Sequence, residues 1–248
     1  MGESLTVLVP SSPEEAVHLF GDGASVTVVG GGTIVVPSLS LGRRSAERAL
    51  LLHRAGLDGI RRDGGRITIG ATTTLDALGD MPDPLRTAVA HVADLEIRGQ
   101  ATIGGNICAE VSDAPRGDLQ GPLIALGAQV RSTGAGGERT EAIEDFLPGR
   151  RDRLVLDVSF DEPAAGAYEF LDRPHTHDYT ALAVAAARAA DGTVRLGATG
   201  IGPHGLLITA GATDDLPFAD DALASAWYRK RTLPVLVRRA LSKLGDPA

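Results

Sequence analysis

Cysteine is almost missing from this 248-residue chain, where Cys108 stands alone. A single thiol excludes an internal disulfide, a zinc site built from several thiolates, and a four-cysteine iron–sulfur cluster within the chain. It favours a reducing compartment. The opening residues, MGESLTVLVP, lack the basic start and long apolar stretch of a secretory signal, so the chain reads as cytoplasmic. Long apolar runs are missing too. The longest, Ala181 to Ala187, falls far short of the ~20 residues that a membrane-spanning helix needs. Lysine occurs only at Lys230 and Lys243, so an anion held earlier in the chain must rely on arginine, backbone amides or helix ends. The net charge of −8 speaks against a broad nucleic-acid footprint. No GKS or GKT marks a P-loop, and no G-x-G-x-x-G lies between a strand and a helix. No Ser-His-Asp arrangement and no acid–base pair of carboxylates stands out.

What is present is a globular composition, 43% hydrophobic and 23% charged, in a length that suits one large domain or two modest ones. The chain has 31 glycines and 14 prolines, which predicts short elements and many turns. Ser12-Pro13-Glu14-Glu15 reads as a helix start: a capping hydroxyl, a proline at the first helical position, and acids in the positive first turn. Ser25 to Val29 reads as a strand running into Gly30-Gly31-Gly32. A short helix is expected over Ala46–Leu52, a strand over Arg66–Gly70 and a helical turn over Leu75–Leu78. The apolar spacing of Leu85, Val89, Val92 and Ile97 predicts helix. Further on, the pattern gives a helix over Leu119–Leu126, a strand over Ala128–Ser132, a loop tip at Gly134–Gly137 and a strand over Leu154–Phe160. Pro163 to Gly166 marks the expected domain boundary. Beyond it come a strand over Ala167–Leu171, a helix over Tyr179–Ala189 and a strand over Val194–Thr199. A last helix, Ala222–Leu244, is expected to break at Pro234. Strands and helices interleave, with an α+β unit at the C-terminal side.

Two glycine blocks concentrate the chemistry: Val28-Val29-Gly30-Gly31-Gly32-Thr33 and Ala101-Thr102-Ile103-Gly104-Gly105-Asn106. Each follows β-prone residues. Glycine reaches left-handed backbone angles there and lets a ligand approach the main chain. Successive amides in such turns can converge on one oxyanion, so the two blocks together are expected to grip two phosphates without lysine. Thr33 and Thr102 add hydroxyls, and Asn106 adds a carboxamide for a ribose or a ring edge.

The segments VVGGGT, ITIGATTTLDAL, IRGQATIGGN, DLQGPLIALGAQV and YRKRTLPVLVRRAL follow one another in a single order. In this the chain resembles the FAD-binding (medium) subunit of molybdenum hydroxylases, the family of xanthine dehydrogenase and carbon monoxide dehydrogenase. The resemblance implies an α+β fold. A two-subdomain FAD-binding domain, PCMH-like or vanillyl-alcohol-oxidase-like, would span residues 1–162, divided at about 55. A small α+β domain would follow over 163–248. FAD would lie between the subdomains. Val28, Val29, Gly30, Gly31, Gly32 and Thr33 would line it on one side, and Thr102, Gly104, Gly105 and Asn106 on the other. Asp118, which opens a D-L-x-x-x-L-L-A-L-like pattern, is assigned to the ribose or adenine side, with Asp113 competing for that role. Val155, beside Leu154, would cover the ring system. His18, His53 and His91 fall outside the glycine blocks, so the flavin is expected to be non-covalent.

The same resemblance implies partner subunits: a large one carrying molybdopterin and a small one carrying [2Fe-2S] clusters. Electrons would pass from the clusters to FAD and on to NAD+, a quinone or oxygen. The lack of acid–base machinery suits such a redox subunit, because the cofactor carries the chemistry. Ile34 and Phe170 depart from the family pattern, as does the longer segment between Asn106 and Asp118. They motivate one alternative, a flavin-poor scaffold subunit; a stand-alone flavoprotein oxidoreductase is a further one. Arg98 reads equally as a phosphate or partner contact and as a surface arginine. His175, His177 and Asp178 read as a polar loop rather than a metal site, and Cys108 as a small packing residue. Trp227 and Tyr228 read as packing residues. Arg229, Arg231, Arg238 and Arg239 read as a solvated helix face open to a partner.

Overall fold

The computed structural model describes residues 5–109, 117–171 and 180–245. Three sheets organise them. The first holds β1 (Thr6–Leu8), β2 (Val26–Val29) and β3 (Arg48–Leu51), all parallel in the order β1-β3-β2. Helix α1 (Pro13–Phe20) begins as the sequence predicts: the Ser12 hydroxyl accepts the Glu15 amide at 3.2 Å, with Pro13 in the first turn. Helix α2 (Val35–Ser40) follows the first glycine block. The expected helix over Ala46–Leu52 is instead β3. Alanine, arginine and leucine favour helix locally, but Ala49 and Leu50 lie in the central strand, buried and paired on both sides. Tertiary burial outweighs the weak local preference.

The second sheet is antiparallel throughout. It joins β4 (Ile60–Asp63), β5 (Arg66–Gly70), β6 (Gln129–Gly134), β7 (Arg139–Ala142) and β8 (Arg153–Asp161) in the order β4-β5-β8-β6-β7. Short helices surround it: α3 (Leu85–Ala90), α4 (Leu95–Arg98), α5 (Ile103–Ile107), α6 (Gln120–Ala125) and α7 (Ile143–Phe146). The helical spacing over 85–97 resolves into α3 and α4. Ala93 takes a φ of 46° between them, and Asp94 starts the second helix by accepting the Ile97 amide at 2.8 Å. The first two units share a core, in which Leu154 and Leu156 of β8 pack with Ala16, Phe20 and Leu50. This contact sets the cleft between them.

The third sheet is antiparallel, with β9 (Ala165–Phe170), β10 (Ala183–Arg188), β11 (Val194–Thr199) and β12 (Leu206–Ile208) in the order β12-β11-β10-β9. Helix α8 (Ala226–Lys243) covers it. The expected helix over Tyr179–Ala189 is a strand in its described part. Ala183, Ala185 and Ala187 join the core of the second unit, whereas Leu182, Val184 and Ala186 pack with Leu233 and Leu236 of α8. That alternation is a strand's period of two. The alanine richness that favours helix here supplies small side chains for a strand covered on both faces. Helix α8 runs through Pro234 without a break, because Leu233, Leu236 and Val237 are buried around it and offset the lost backbone bond. No helix among the described residues is long and apolar enough to cross a membrane.

Candidate functional site

Strands β2 and β3 are parallel neighbours, with Val29 opposite Leu51 and the Leu52 amide on the Val29 carbonyl at 3.0 Å. Both chains therefore leave the sheet side by side at its C-terminal edge, where ligands of parallel sheets gather. From there Gly30 to Ile34 form a loop leading into α2. Among the described residues, no acceptor takes the amides of Gly30, Gly31, Gly32, Thr33 or Ile34. Gly32 has a φ of 74°. This is a run of open backbone donors suited to an anion. Val28 and Val29 lie behind it, with Val29 buried and Val28 packed on the core.

The second glycine block differs. Thr102 caps α5, and the block's amides are already bonded: Ile103 to the Thr73 carbonyl at 3.0 Å, Gly104 to Ala71 at 2.9 Å, Gly105 to the Thr102 hydroxyl at 3.2 Å and Asn106 to the Thr102 carbonyl at 2.9 Å. The expectation of a second amide nest is corrected, since this segment is a capped helical turn. A Cβ on Gly104 would lie 2.8 Å from the Ala71 carbonyl oxygen, so glycine there serves packing. Gly105 is exposed, and a Cβ on it would meet only the Thr102 hydroxyl, at 3.0 Å. It leaves bare backbone at the surface, which is what close approach by a ligand requires.

The two blocks touch. A Cβ on Gly30 would lie 2.7 Å from the Thr102 hydroxyl, and one on Gly31 would lie 1.8 Å from the Gln100 carbonyl oxygen. They border one cleft of about 570 Å³, within the size range of roughly 300–1,000 Å³ common for small-molecule and cofactor sites. The first unit contributes Gly30, Gly31 and His53; the second contributes Asp58 to Ile60, Thr72 to Thr74, Ala77, Gln100 and Thr102. The threonine loop is tied to the second block by the bridge Thr74–Thr102 and by the Leu75 amide on the Ala101 carbonyl at 2.9 Å. Thr73 holds Gly59 from both sides, accepting its amide at 2.9 Å and donating to its carbonyl at 3.1 Å. Among the described residues no arginine or lysine lines the cleft, which leaves the open amides as the anion donors they offer.

Other sequence-predicted residues stand apart from this lining. Asn106 accepts the Leu119 amide at 3.0 Å and so ties α5 to the start of α6. Asp118 is buried near Tyr168. Burial raises the Tyr168 phenol above its usual range, the charge of Asp118 raises it further, and a hydrogen bond with Thr180 opposes both. Val155 is buried in the core beside a bulge at Arg131/Ser132. Asp113 and the group His175, His177 and Asp178 lie outside the described residues. Phe170 stacks on Tyr168 with ring centroids 5.5 Å apart, and the His91 ring centroid lies 4.2 Å from that of Phe170.

Arg98 is structural, donating to the carbonyls of Val92 and Ala93 at 2.9 Å each, and so holding the turn before α4. Cys108 is half-buried against the main core. Trp227 and Tyr228 are exposed, 68% and 45% respectively, rather than packed. Arg229 is the reverse case. It is 1% exposed and donates to the carbonyls of Ala181, Ala219 and Ala224 and to Asp221. It ties α8 to the sheet and is no part of a solvated face.

The sequence reading missed His53, Asp58 and Thr72 to Thr74 as lining residues. The threonine run was visible inside ITIGATTTLDAL. The position of His53 was hidden by reading the preceding residues as helix rather than as a strand ending at the cleft.

Comparison with known proteins shows the family and the fold. The family described as the FAD binding domain in molybdopterin dehydrogenase matches residues 3–160. The chain is 28% identical to the carbon monoxide dehydrogenase medium chain of Afipia carboxidovorans over 276 aligned positions, covering 94% of each. It superposes on a chain of the Cu,Mo-CO dehydrogenase with a TM-score of 0.83 and 26% identity, covering 98% of both. Quinoline 2-oxidoreductase of Pseudomonas putida 86 shares the fold, with a TM-score of 0.80 at 19% identity over 98% of both chains.

Proposed function

The chain belongs to the family of FAD-binding domains of molybdopterin dehydrogenases, and from that premise we propose that it is the flavoprotein subunit of a molybdenum hydroxylase complex. In this reading it receives electrons from the [2Fe-2S] clusters of a small partner subunit, and a large partner carries the molybdopterin. It delivers the electrons to NAD+, a quinone or oxygen. We take residues 1–162 as the FAD-binding domain and 163–248 as a second α+β domain.

The observation that carries the reading is the convergence of Gly30 and Gly31 with Thr102 on one cleft, at the start of a run of five amides, Gly30 to Ile34, that have no acceptor among the described residues. That set fits a dinucleotide: the amides suit its diphosphate, and exposed Gly105 leaves room for its remainder. When bound, FAD supplies conversion between single-electron and paired-electron transfer. The protein's own contribution is to bind and orient. The open amides of Gly30 to Ile34 hold the anion, and the Thr102 hydroxyl fixes the edge of the cleft. Thr73 and Gly59 brace the opposite wall. Asn106, through Leu119, keeps α5 and the buried Asp118 segment in register. We take the attachment to be non-covalent.

Purification from the native host with flavin, iron and molybdenum analysis tests the proposal. Co-purification of all three with this chain is expected. Flavin without metals would favour a stand-alone flavoprotein, and metals without flavin a scaffold subunit.

A further inference from the structure

The cleft contains one potentially cationic side chain that nothing above uses. His53 is exposed and lines the same cleft as Gly30 and Gly31. Val29 pairs with Leu51, and the Leu52 amide bonds the Val29 carbonyl at 3.0 Å, so the two chains leave the sheet as neighbours, and His53 joins Gly30 and Gly31 in the lining of the cleft. The amides of Gly30 to Ile34 select an anion, but they carry no net charge. Elsewhere in the lining no arginine or lysine is present among the described residues.

We propose that His53, in its protonated form, is a binding residue for the diphosphate of FAD and makes the affinity of this subunit for its flavin depend on pH. The inference rests on the FAD reading above and adds a specific ligand contact to it. Histidine exchanges its proton between about pH 5 and 8. A protonated imidazole beside the diphosphate adds a charge-assisted bond, and a neutral one does not. The other titratable residue of the lining is Asp58. Arg54 follows His53 in the chain, and Asp76 precedes the lining residue Ala77; both are exposed. The glycine loop, the threonine loop and Gln100 contribute no charge. A carboxylate at Asp58 repels an anion, so it does not supply the attraction proposed here.

The test is titration of the full chain, stripped of flavin, with FAD at pH 5.5 and pH 8, following flavin fluorescence. The wild type is expected to bind about ten-fold more weakly at pH 8, as histidine loses its proton across this interval. His53→Gln is expected to bind weakly at both values with no slope. His53→Arg keeps a cation throughout and is expected to bind tightly at both. Asp58→Asn is expected to retain the wild-type slope. A purely structural role for His53 would shift affinity without removing the slope. A slope that survives in His53→Gln, or that vanishes only in Asp58→Asn, overturns the inference while leaving the FAD reading intact. Failure of the wild type to take up FAD at either pH overturns both.

Discussion

Gly31 and Gln100 are in backbone contact across the two units: a methyl group added to the Gly31 α carbon would fall 1.8 Å from the Gln100 carbonyl oxygen. Residues far apart in sequence are thus fixed as two lips of one cleft. Gly31→Ala forces them apart. Overpacking of this kind costs about 1–3 kcal/mol, and backbone on both sides leaves little room to relax. The variant is expected to unfold at lower denaturant concentration and to bind FAD more weakly. Urea unfolding and flavin titration read the two effects separately.

The two glycines of the second block are expected to separate stability from binding. At Gly104 a side chain meets the Ala71 carbonyl oxygen, whereas at Gly105 it meets only the movable Thr102 hydroxyl. Gly104→Val should destabilise the fold. Gly105→Val should keep unfolding free energy within about 1 kcal/mol of wild type, since replacing a helical glycine gains up to that amount. Its FAD affinity should nevertheless fall by about ten-fold or more, about 1.4 kcal/mol, because a side chain there blocks close approach of a ligand to the bare backbone. Equal stability losses with unchanged flavin binding would contradict the assigned roles.

Tyr168 makes a pH prediction with a definite sign. Its phenol is raised above the usual range by burial first and by Asp118 second. In the unfolded chain a tyrosine releases its proton near pH 10. Above that pH the unfolded state binds fewer protons than the folded state, so stability falls as pH rises. Below it the contribution is fully present. The wild type is expected to lose stability steeply above about pH 10, and Tyr168→Phe to show a shallower alkaline limb. Denaturation midpoints measured from pH 8 to pH 11 check this.

Arg229 gives a prediction far from the cleft. Its guanidinium is buried and serves three carbonyls and Asp221. Removing one partner of a buried ion pair costs about 3–5 kcal/mol. Arg229→Ala is therefore expected to loosen α8 and lower the melting temperature markedly. Arg238→Ala, on the exposed side of the same helix, is expected to change it little.

Much of this architecture was legible in the chain because local and tertiary preferences agreed. The Ser12–Glu15 helix start, the strand into Gly30 and the strand over Leu154–Phe160 all follow from caps, glycines and alternation. Where they disagreed, burial prevailed. Ala49 and Leu50 became the middle of a parallel sheet, and the alanines after Leu182 became a strand packed on both faces. The site was half visible. Both glycine blocks could be found by composition, but not that the amides of one are open and those of the other bonded. That distinction depends on Ala71 and Thr73, which sequence spacing does not connect to α5. His53 reads in the sequence as lying outside the glycine blocks, because its place in the cleft depends on the pairing of β2 with β3.

Hydrogen exchange of the full chain with and without FAD tests the central claim most directly. Amides without an acceptor exchange fast, and bonded ones are protected. FAD is expected to slow exchange sharply over Gly30 to Ile34 and to change Ile103 to Asn106 much less, because the latter are bonded already. Unchanged exchange over Gly30 to Ile34 in flavin-loaded protein would show that the diphosphate is held elsewhere, and would contradict the account.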